Sequence, residues 1–289
     1  VERAKSYDLN FEPGTEQDYS NLGYVILGAV IEKVSGKSYF DNVNERIVKP
    51  LNLKNTYLND FSGLENRIAH GYYYTPLGEL DESAPLQDIP NPDGGFLSTT
   101  EDIMTFYRSY YYDDLLLSEE AKSNDSFFNY LKELPDGKAT GSAGGFEGFN
   151  TALYQVVSND FTIIVFANMD EPVAEHIALD ILALTRGETP NKPQAPAIQN
   201  VREAFNKNGA DFVKANFEDL TINFHPKDPK DIIINALGYA YLYEANDVDK
   251  AIKLFKLNTQ LFPDIANCWD SYGEALAESG KKEEAIKAY

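Results

Sequence analysis

Apolar residues at Leu22, Val25, Ile26, Ala29, Val30 and Val34 recur at the spacing of one helix face, and Ser35-Gly36 behind them supplies a stop. The pattern predicts a helix over Leu22–Val34. Ser38 then stands as the N-cap of a second helix, which is expected to end at Lys49-Pro50 because proline disfavours helical backbone in the residue before it. Thr99 or Thr100, followed by Glu101-Asp102, opens another at Ile103, where carboxylates suit the positive end of the helix dipole. The period then changes. Phe149–Val157 and Phe161–Ala167 are strand-like runs split by Ser158-Asn159-Asp160, which predicts an antiparallel hairpin. Pro172–Arg186 returns to helical spacing, with Val173, Ile177, Ile181 and Leu184 on the face expected to pack. An antiparallel sheet covered by helices, an α+β fold, follows for this part of the chain.

Gly187–Asn200 carries Pro190, Pro193 and Pro196 among small and polar residues, the chemistry of a linker. It divides the chain into a first domain over residues 1–186, a linker over 187–200 and a C-terminal all-α region over 201–289. In that last region Ala251-Ile252-Lys253 recurs as Ala285-Ile286-Lys287, Phe255 as Tyr289 and Asn246 as Gly280, all at an offset of 34 residues. With Pro263 closing one unit and Trp269 opening the next, the period resembles tetratricopeptide repeats. Two units are fewer than such arrays need, so they are expected to lean on the helical stretch Val201–Leu220 or to continue past Tyr289.

Composition narrows the function. The chain has 289 residues and a formal charge of -21, of which residues up to 190 hold -18. So acidic a first domain repels phosphate backbones, and nucleic-acid binding is disfavoured. No apolar run is long enough to span a bilayer as a helix. Cys268 is the only cysteine and has no partner for an internal disulfide, and His70, His176 and His225 are scattered without metal-ligand spacing. No metal or cofactor is expected.

Two separated motifs suggest chemistry. Tyr19-Ser20-Asn21 stands just ahead of the first helix, and Gly141-Ser142-Ala143-Gly144-Gly145 leads into the strands. Between and around them lie Phe11-Glu12-Pro13-Gly14, Gly36-Lys37-Ser38-Tyr39, Lys49-Pro50-Leu51-Asn52-Leu53, and Gly94-Gly95-Phe96-Leu97-Ser98-Thr99-Thr100-Glu101-Asp102. This ordered set, over roughly residues 11–185, resembles the serine β-lactamase and penicillin-binding-protein superfamily, especially its class C and esterase-like branch. There Ser-x-x-Lys comes first, Tyr-x-Asn second and a Lys/His-x-Gly strand third. No Ser-x-x-Lys precedes Tyr19. The expectation is that the nucleophile lies upstream of Val1, and that the chain, whose last helix stops at Tyr289 without a capping segment, is an excerpt from a longer protein.

The resemblance implies acyl transfer by a serine on an ester, amide or β-lactam. Carried over by position, Tyr19 is the proton-relay phenol, Asn21 a donor to the substrate's acyl amide, and the Gly145 N–H one oxyanion donor. Ser142, Ala143 and Gly144 fall on the substrate-binding strand. A phenol of pKa ~10 needs a neighbouring cation to act as a base near neutrality, so without the upstream lysine the chain is expected to be inactive. Ser142 stands where the family usually has lysine or histidine, and an uncharged residue there cannot attract a substrate carboxylate. This favours an ester, an amide or no turnover. Neither Ser20 nor Ser142 has a nucleophile elbow or a placed histidine, while His70, His176, Asp113-Asp114 and Glu119-Glu120 read as packing or solvated surface. The alternative is a non-catalytic binding protein that takes a peptide or protein partner through its repeats. A sheet without its first strands exposes an edge, which dimerisation or strand exchange is expected to hide. By family analogy alone, the location is the bacterial envelope.

Overall fold

The structure, a computed structural model, describes residues 8–84, 90–192, 195–224 and 228–289. Pro193 and His225 lie outside the described residues. The chain divides into two compact units, one of Val1–Gly71 with Ala84–Glu188 and one of Tyr72–Ser83 with Thr189–Tyr289.

In the first unit, α1 (Asn21–Ser35) begins where the Ser20 hydroxyl accepts the Gly23 N–H, and ends at Gly36 in the left-handed region. Of its residues only Gly28 is buried, where the Pro92 ring fills the space a Cβ would occupy. The predicted apolar face is therefore largely uncovered, with Leu22, Val30 and Val34 exposed. The Ser38 cap on α2 (Tyr39–Val43) forms as expected, its hydroxyl accepting the Asp41 N–H at 3.0 Å. The helix does not stop at Lys49-Pro50. It passes through a π turn over Asn44–Val48 into α3 (Lys49–Leu51), where Pro50 sits in the first turn and needs no N–H of its own.

The hairpin strands β1 (Tyr72–Tyr74) and β2 (Leu80–Glu82) belong to the second unit. Back in the first, α4 (Thr100–Tyr112) starts three residues before Ile103, because the Thr99 hydroxyl caps it through the Asp102 N–H. Buried Asp102 in turn accepts from Asn55 N (2.7 Å) and Thr56 Oγ1 (2.9 Å), tying the loop after α3 to the start of α4. Helices α5 (Glu119–Asn124) and α6 (Ser126–Glu133) follow, and Phe128 of α6 packs on Tyr110 of α4 with ring centroids 5.2 Å apart.

Strands β3 (Thr140–Phe146), β4 (Phe149–Val156) and β5 (Phe161–Ala167) form one antiparallel sheet in the order β3-β4-β5. The glycine-rich run is itself an edge strand of this sheet. Helix α7 (Val173–Thr185) packs on the sheet, but through a different face from the expected one. Ala174, Ala178 and Leu182 are buried against Ala152, Val156 and Ile163. Ile177, Ile181 and Leu184 point to solvent at 44%, 38% and 59% exposure. The small alanines let the helix backbone approach the sheet, which the bulkier face would prevent.

In the second unit, α8 begins at Ala197, inside the stretch read as linker, directly after Pro196 (α8, Ala197–Asn208). The expected single helical stretch is two helices, because Gly209 at φ +83° turns the chain into α9 (Ala210–Leu220). Among the described residues four more helices follow: α10 (Asp231–Tyr239, extended by a π turn over Ala240–Glu244), α11 (Val248–Leu261), α12 (Ala266–Glu278) and α13 (Lys282–Ala288). Their core is built on Ile234, Leu237, Leu254, Phe255 and Leu276, each at most 1% exposed. Asn246 and Gly280, the pair offset by 34, both have positive φ, and Ala251 and Ala285 are both buried. Among the described residues no helix is long and apolar enough to cross a membrane.

Candidate active site

Tyr19 and Asn21 flank the cap of α1. The Tyr19 hydroxyl donates to Asn21 Oδ1 at 2.8 Å, and its ring lies 5.7 Å from that of Tyr24. The capping bond at Ser20 sets the bend that places one residue on each side of it. Tyr19 is 68% exposed.

Ser142, Ala143, Gly144 and Gly145 lie together on β3, all exposed, and pair with Leu153, Ala152, Thr151 and Asn150 of β4. A Cβ at position 145 would come 3.0 Å from the carboxylate end of the Glu171 side chain, which would have to shift to admit it. Gly145, Phe146, Glu147, Asp170 and Glu171 line an open cleft at the end of this strand. Asp170 Oδ1 accepts the Gly148 N–H at 2.6 Å, which fixes the turn between β3 and β4. The lining is thus acidic, and Ser142 adds no charge to balance it.

The structure joins Tyr19 with Asn21, and Ser142 with its strand neighbours. Among the described residues no hydrogen bond links the first pair to β3. Ser20 is occupied as a helix cap, and no histidine or lysine hydrogen-bonds Ser20 or Ser142 there. His70 and His176 are exposed, and no group of three metal-ligating side chains occurs among the described residues. One Ser-x-x-Lys does exist by letters, Ser279 to Lys282. Ser279 closes α12 in the second unit and donates its hydroxyl to the Leu276 carbonyl at 2.7 Å, which is the role of a helix end.

Asn150 was not singled out by sequence. It is fully buried, donates from Nδ2 to the Gly144 carbonyl (3.2 Å) and accepts the Ala174 N–H on Oδ1 (2.6 Å). Asn150 is one of the polar residues, with Thr151 and Gln155, in a largely apolar strand run, and that was the available signal.

Residues 1–187 match the family described as Beta-lactamase. The chain belongs to the beta-lactamase family. This beta-lactamase-family chain is similar to Penicillin-binding protein 4* of Bacillus subtilis (strain 168), 28% identical over 222 residues, covering 65% of this chain and 48% of that protein. It is also similar to Protein flp of Staphylococcus aureus (strain MW2), 30% identical over 102 residues, covering 33% of this chain and 19% of that one. Among solved structures it resembles the octameric penicillin-binding protein homologue from Pyrococcus abyssi, with a TM-score of 0.54 and 24% identity over 66% of this chain and 47% of that one. The chain therefore spans about half the length of the Bacillus subtilis protein, and less of Protein flp. The fold is the α+β arrangement of β-lactamases and penicillin-binding proteins, with small antiparallel sheets among many helices, and the superfamily is one of serine hydrolases.

Proposed function

We propose that this chain carries the Tyr-x-Asn and substrate-strand parts of a serine hydrolase acting on an ester or amide, and that its nucleophilic serine and lysine stand on a segment N-terminal to Val1. The serine attacks the carbonyl carbon. The lysine and Tyr19 take the proton it loses and pass it to the leaving alcohol or amine as the carbonyl C–O or C–N bond breaks, and water then cleaves the acyl-serine ester to release the acid and restore the serine. Asn21 holds the Tyr19 hydroxyl through Oδ1, which leaves its Nδ2 hydrogens for the substrate's acyl amide. The Gly145 N–H is one of two donors to the oxyanion. Without the lysine nothing draws the proton from Tyr19, and the 289-residue chain alone does not turn over substrate.

The observation that carries this reading is the Tyr19–Asn21 pair at the head of α1, within a family domain whose edge strand presents Gly144-Gly145. Exposed apolar residues on α1 and α7 favour a further segment packed there. The acidic lining of Glu147, Asp170 and Glu171, with Ser142 in place of a cation, disfavours anionic substrates.

A second reading concerns residues 201–289, taken as tetratricopeptide-like. Helices α10 and α11 recur as α12 and α13 at the 34-residue offset, and exposed Ile232, Tyr243 and Trp269 favour a peptide or protein partner. The test of the hydrolase is intact mass before and after a fluorophosphonate probe, on the 289-residue chain and on the longer protein. One adduct on an upstream Ser-x-x-Lys of the longer protein, and none on the shorter chain, is expected. An adduct within Val1–Tyr289, or an upstream Ser-x-x-Lys that stays unlabelled, overturns the reading.

A further inference from the structure

We infer that Asn150 is a positioning residue that aims the Gly145 N–H; this rests on the reading of Gly145 as an oxyanion donor. The Gly144 carbonyl and the Gly145 N–H are the two ends of one peptide plane, and in a trans peptide they point in opposite directions. Whatever holds the carbonyl therefore aims the N–H. Beside the β3–β4 pairing of Gly144 with Thr151, two side chains of β4 hold it: Asn150 Nδ2 at 3.2 Å and Thr151 Oγ1 at 3.2 Å. Both reach it from the β4 side, so the Gly145 N–H is turned the other way, toward the open edge of β3.

The hold matters because of where it acts. A Gly-Gly peptide has no Cβ on either side to bias its rotation, and among the described residues β3 has no strand on its outer edge to pin it. Turned over, the same plane would present a carbonyl oxygen where the oxyanion forms, and the site would repel the charge it has to stabilise.

Asn150 can hold the plane because it is itself held. It is fully buried, and its Oδ1 accepts the Ala174 N–H in the first turn of α7 at 2.6 Å. Rotating its amide by 180° would set NH₂ against an N–H and oxygen against a carbonyl, two repulsive contacts with no water to relieve them. A continuous series of hydrogen bonds thus runs from α7 through Asn150 to the Gly144–Gly145 peptide. Each bond polarises the next, which makes the Gly145 N–H a stronger donor as well as a fixed one.

Asn150→Asp is the discriminating variant. The carboxylate still accepts the Ala174 N–H, and negative charge suits a helix N-terminus, so α7 keeps its start. The donor to Gly144 is lost, and a carboxylate oxygen faces the Gly144 carbonyl in its place and repels it. Thr151→Val removes the second donor and serves as the independent variant if N150D fails to fold. The first readout is the amide spectrum of the 289-residue chain with selectively labelled glycine. In both variants the Gly145 N–H resonance is expected to shift and its hydrogen exchange to quicken, while the Ala174 resonance stays in place in N150D. A Gly145 resonance unmoved in both variants overturns the inference, whatever the fluorophosphonate test shows. The second readout is the fluorophosphonate reaction of the species that labels. There N150D is expected to slow phosphonylation of the serine by about tenfold to a hundredfold with little change in the probe's apparent affinity, short of the full loss of one oxyanion donor. If Gly145 responds and phosphonylation does not, Asn150 positions no catalytic donor, and the assignment of Gly145 fails even though the serine hydrolase reading stands.

Discussion

The two faces of α7 make opposite predictions for two leucines two residues apart. Leu182 is 5% exposed and packs with Ala174, Ala178, Ala152, Val156 and Ile163, whereas Leu184 is 59% exposed. Leu→Ala in a core costs about 2–5 kcal/mol, depending on how far the site collapses. Around Leu182 the neighbours on the sheet are held by strand pairing and the neighbours on the helix are already alanine, so little can move in to refill the space. About 3 kcal/mol is the expected loss for Leu182→Ala. For Leu184→Ala most of the side chain is already in water, and the expected loss stays under about 1 kcal/mol. At about 2–4 °C per kcal/mol for a unit of this size, the melting temperature falls by roughly 6–12 °C in the first variant and by no more than about 4 °C in the second. Calorimetry is the assay, because the single tryptophan, Trp269, belongs to the other unit. Equal losses, or a larger one for Leu184→Ala, would show that α7 packs through its bulkier face and refute the reasoning.

Three further outcomes follow from named contacts. A Cβ on Gly238 would fall 2.5 Å from the Phe255 ring, so Gly238→Ala is expected to destabilise the helical unit by about 1–3 kcal/mol through overpacking; an unchanged urea midpoint in Trp269 fluorescence would reject this. Burial pushes the Cys268 thiol up to about 11, and its side chain is fully enclosed, so a disulfide reagent at pH 8 is expected to leave it untouched until the chain unfolds; rapid native modification would count against that packing. The Arg108 guanidinium hydrogen-bonds Asp160 and holds its carboxyl below the usual range. A carboxyl lowered in the folded state contributes stability above its unfolded pKa of ~3.9, and this contribution is lost as pH falls through the folded value. In Arg108→Gln the Asp160 titration seen by NMR is expected to move up toward the ordinary range, and no movement would dismiss the pair.

Local signals in the sequence were sufficient where the determinant is local. Ser38, and Thr99 of the pair Thr99 and Thr100, cap helices as read because each stands directly before a helical run, and their hydroxyls need only reach an N–H three residues on. The β4–β5 hairpin was readable because its β-branched and aromatic runs are long and cleanly interrupted. The face of α7 was not, because both of its sides are apolar and periodicity alone favours the larger residues. What decides is the distance at which the helix can meet the sheet, and Ala174 and Ala178 set that distance. The motif glycines and Tyr19-Ser20-Asn21 could be found by their spelling. Asn150 could not, since its two partners, Gly144 and Ala174, stand 6 and 24 residues away and meet only in the folded sheet.

The exposed faces bear on how the proposed hydrolase is completed. Ile177, Ile181 and Leu184 on α7, and Leu22, Leu27 and Val30 on α1, leave water in contact with residues of a kind that elsewhere form this unit's core. Fully burying one such side chain is worth about 1.5–3 kcal/mol before the entropy of ordering its cover. A segment that packs on even part of these faces would gain enough to dock stably, and the same docking would carry its serine and lysine toward Tyr19. Folding and catalytic completion are then one event. On this argument the longer protein melts above the 289-residue chain, and Ile181→Ala, nearly silent in the chain alone, becomes destabilising in the longer protein by the 2–5 kcal/mol or so of a buried site. If Ile181→Ala has the same small effect in both, the upstream segment does not lie on α7, and the supply of the nucleophile has to be sought by another route.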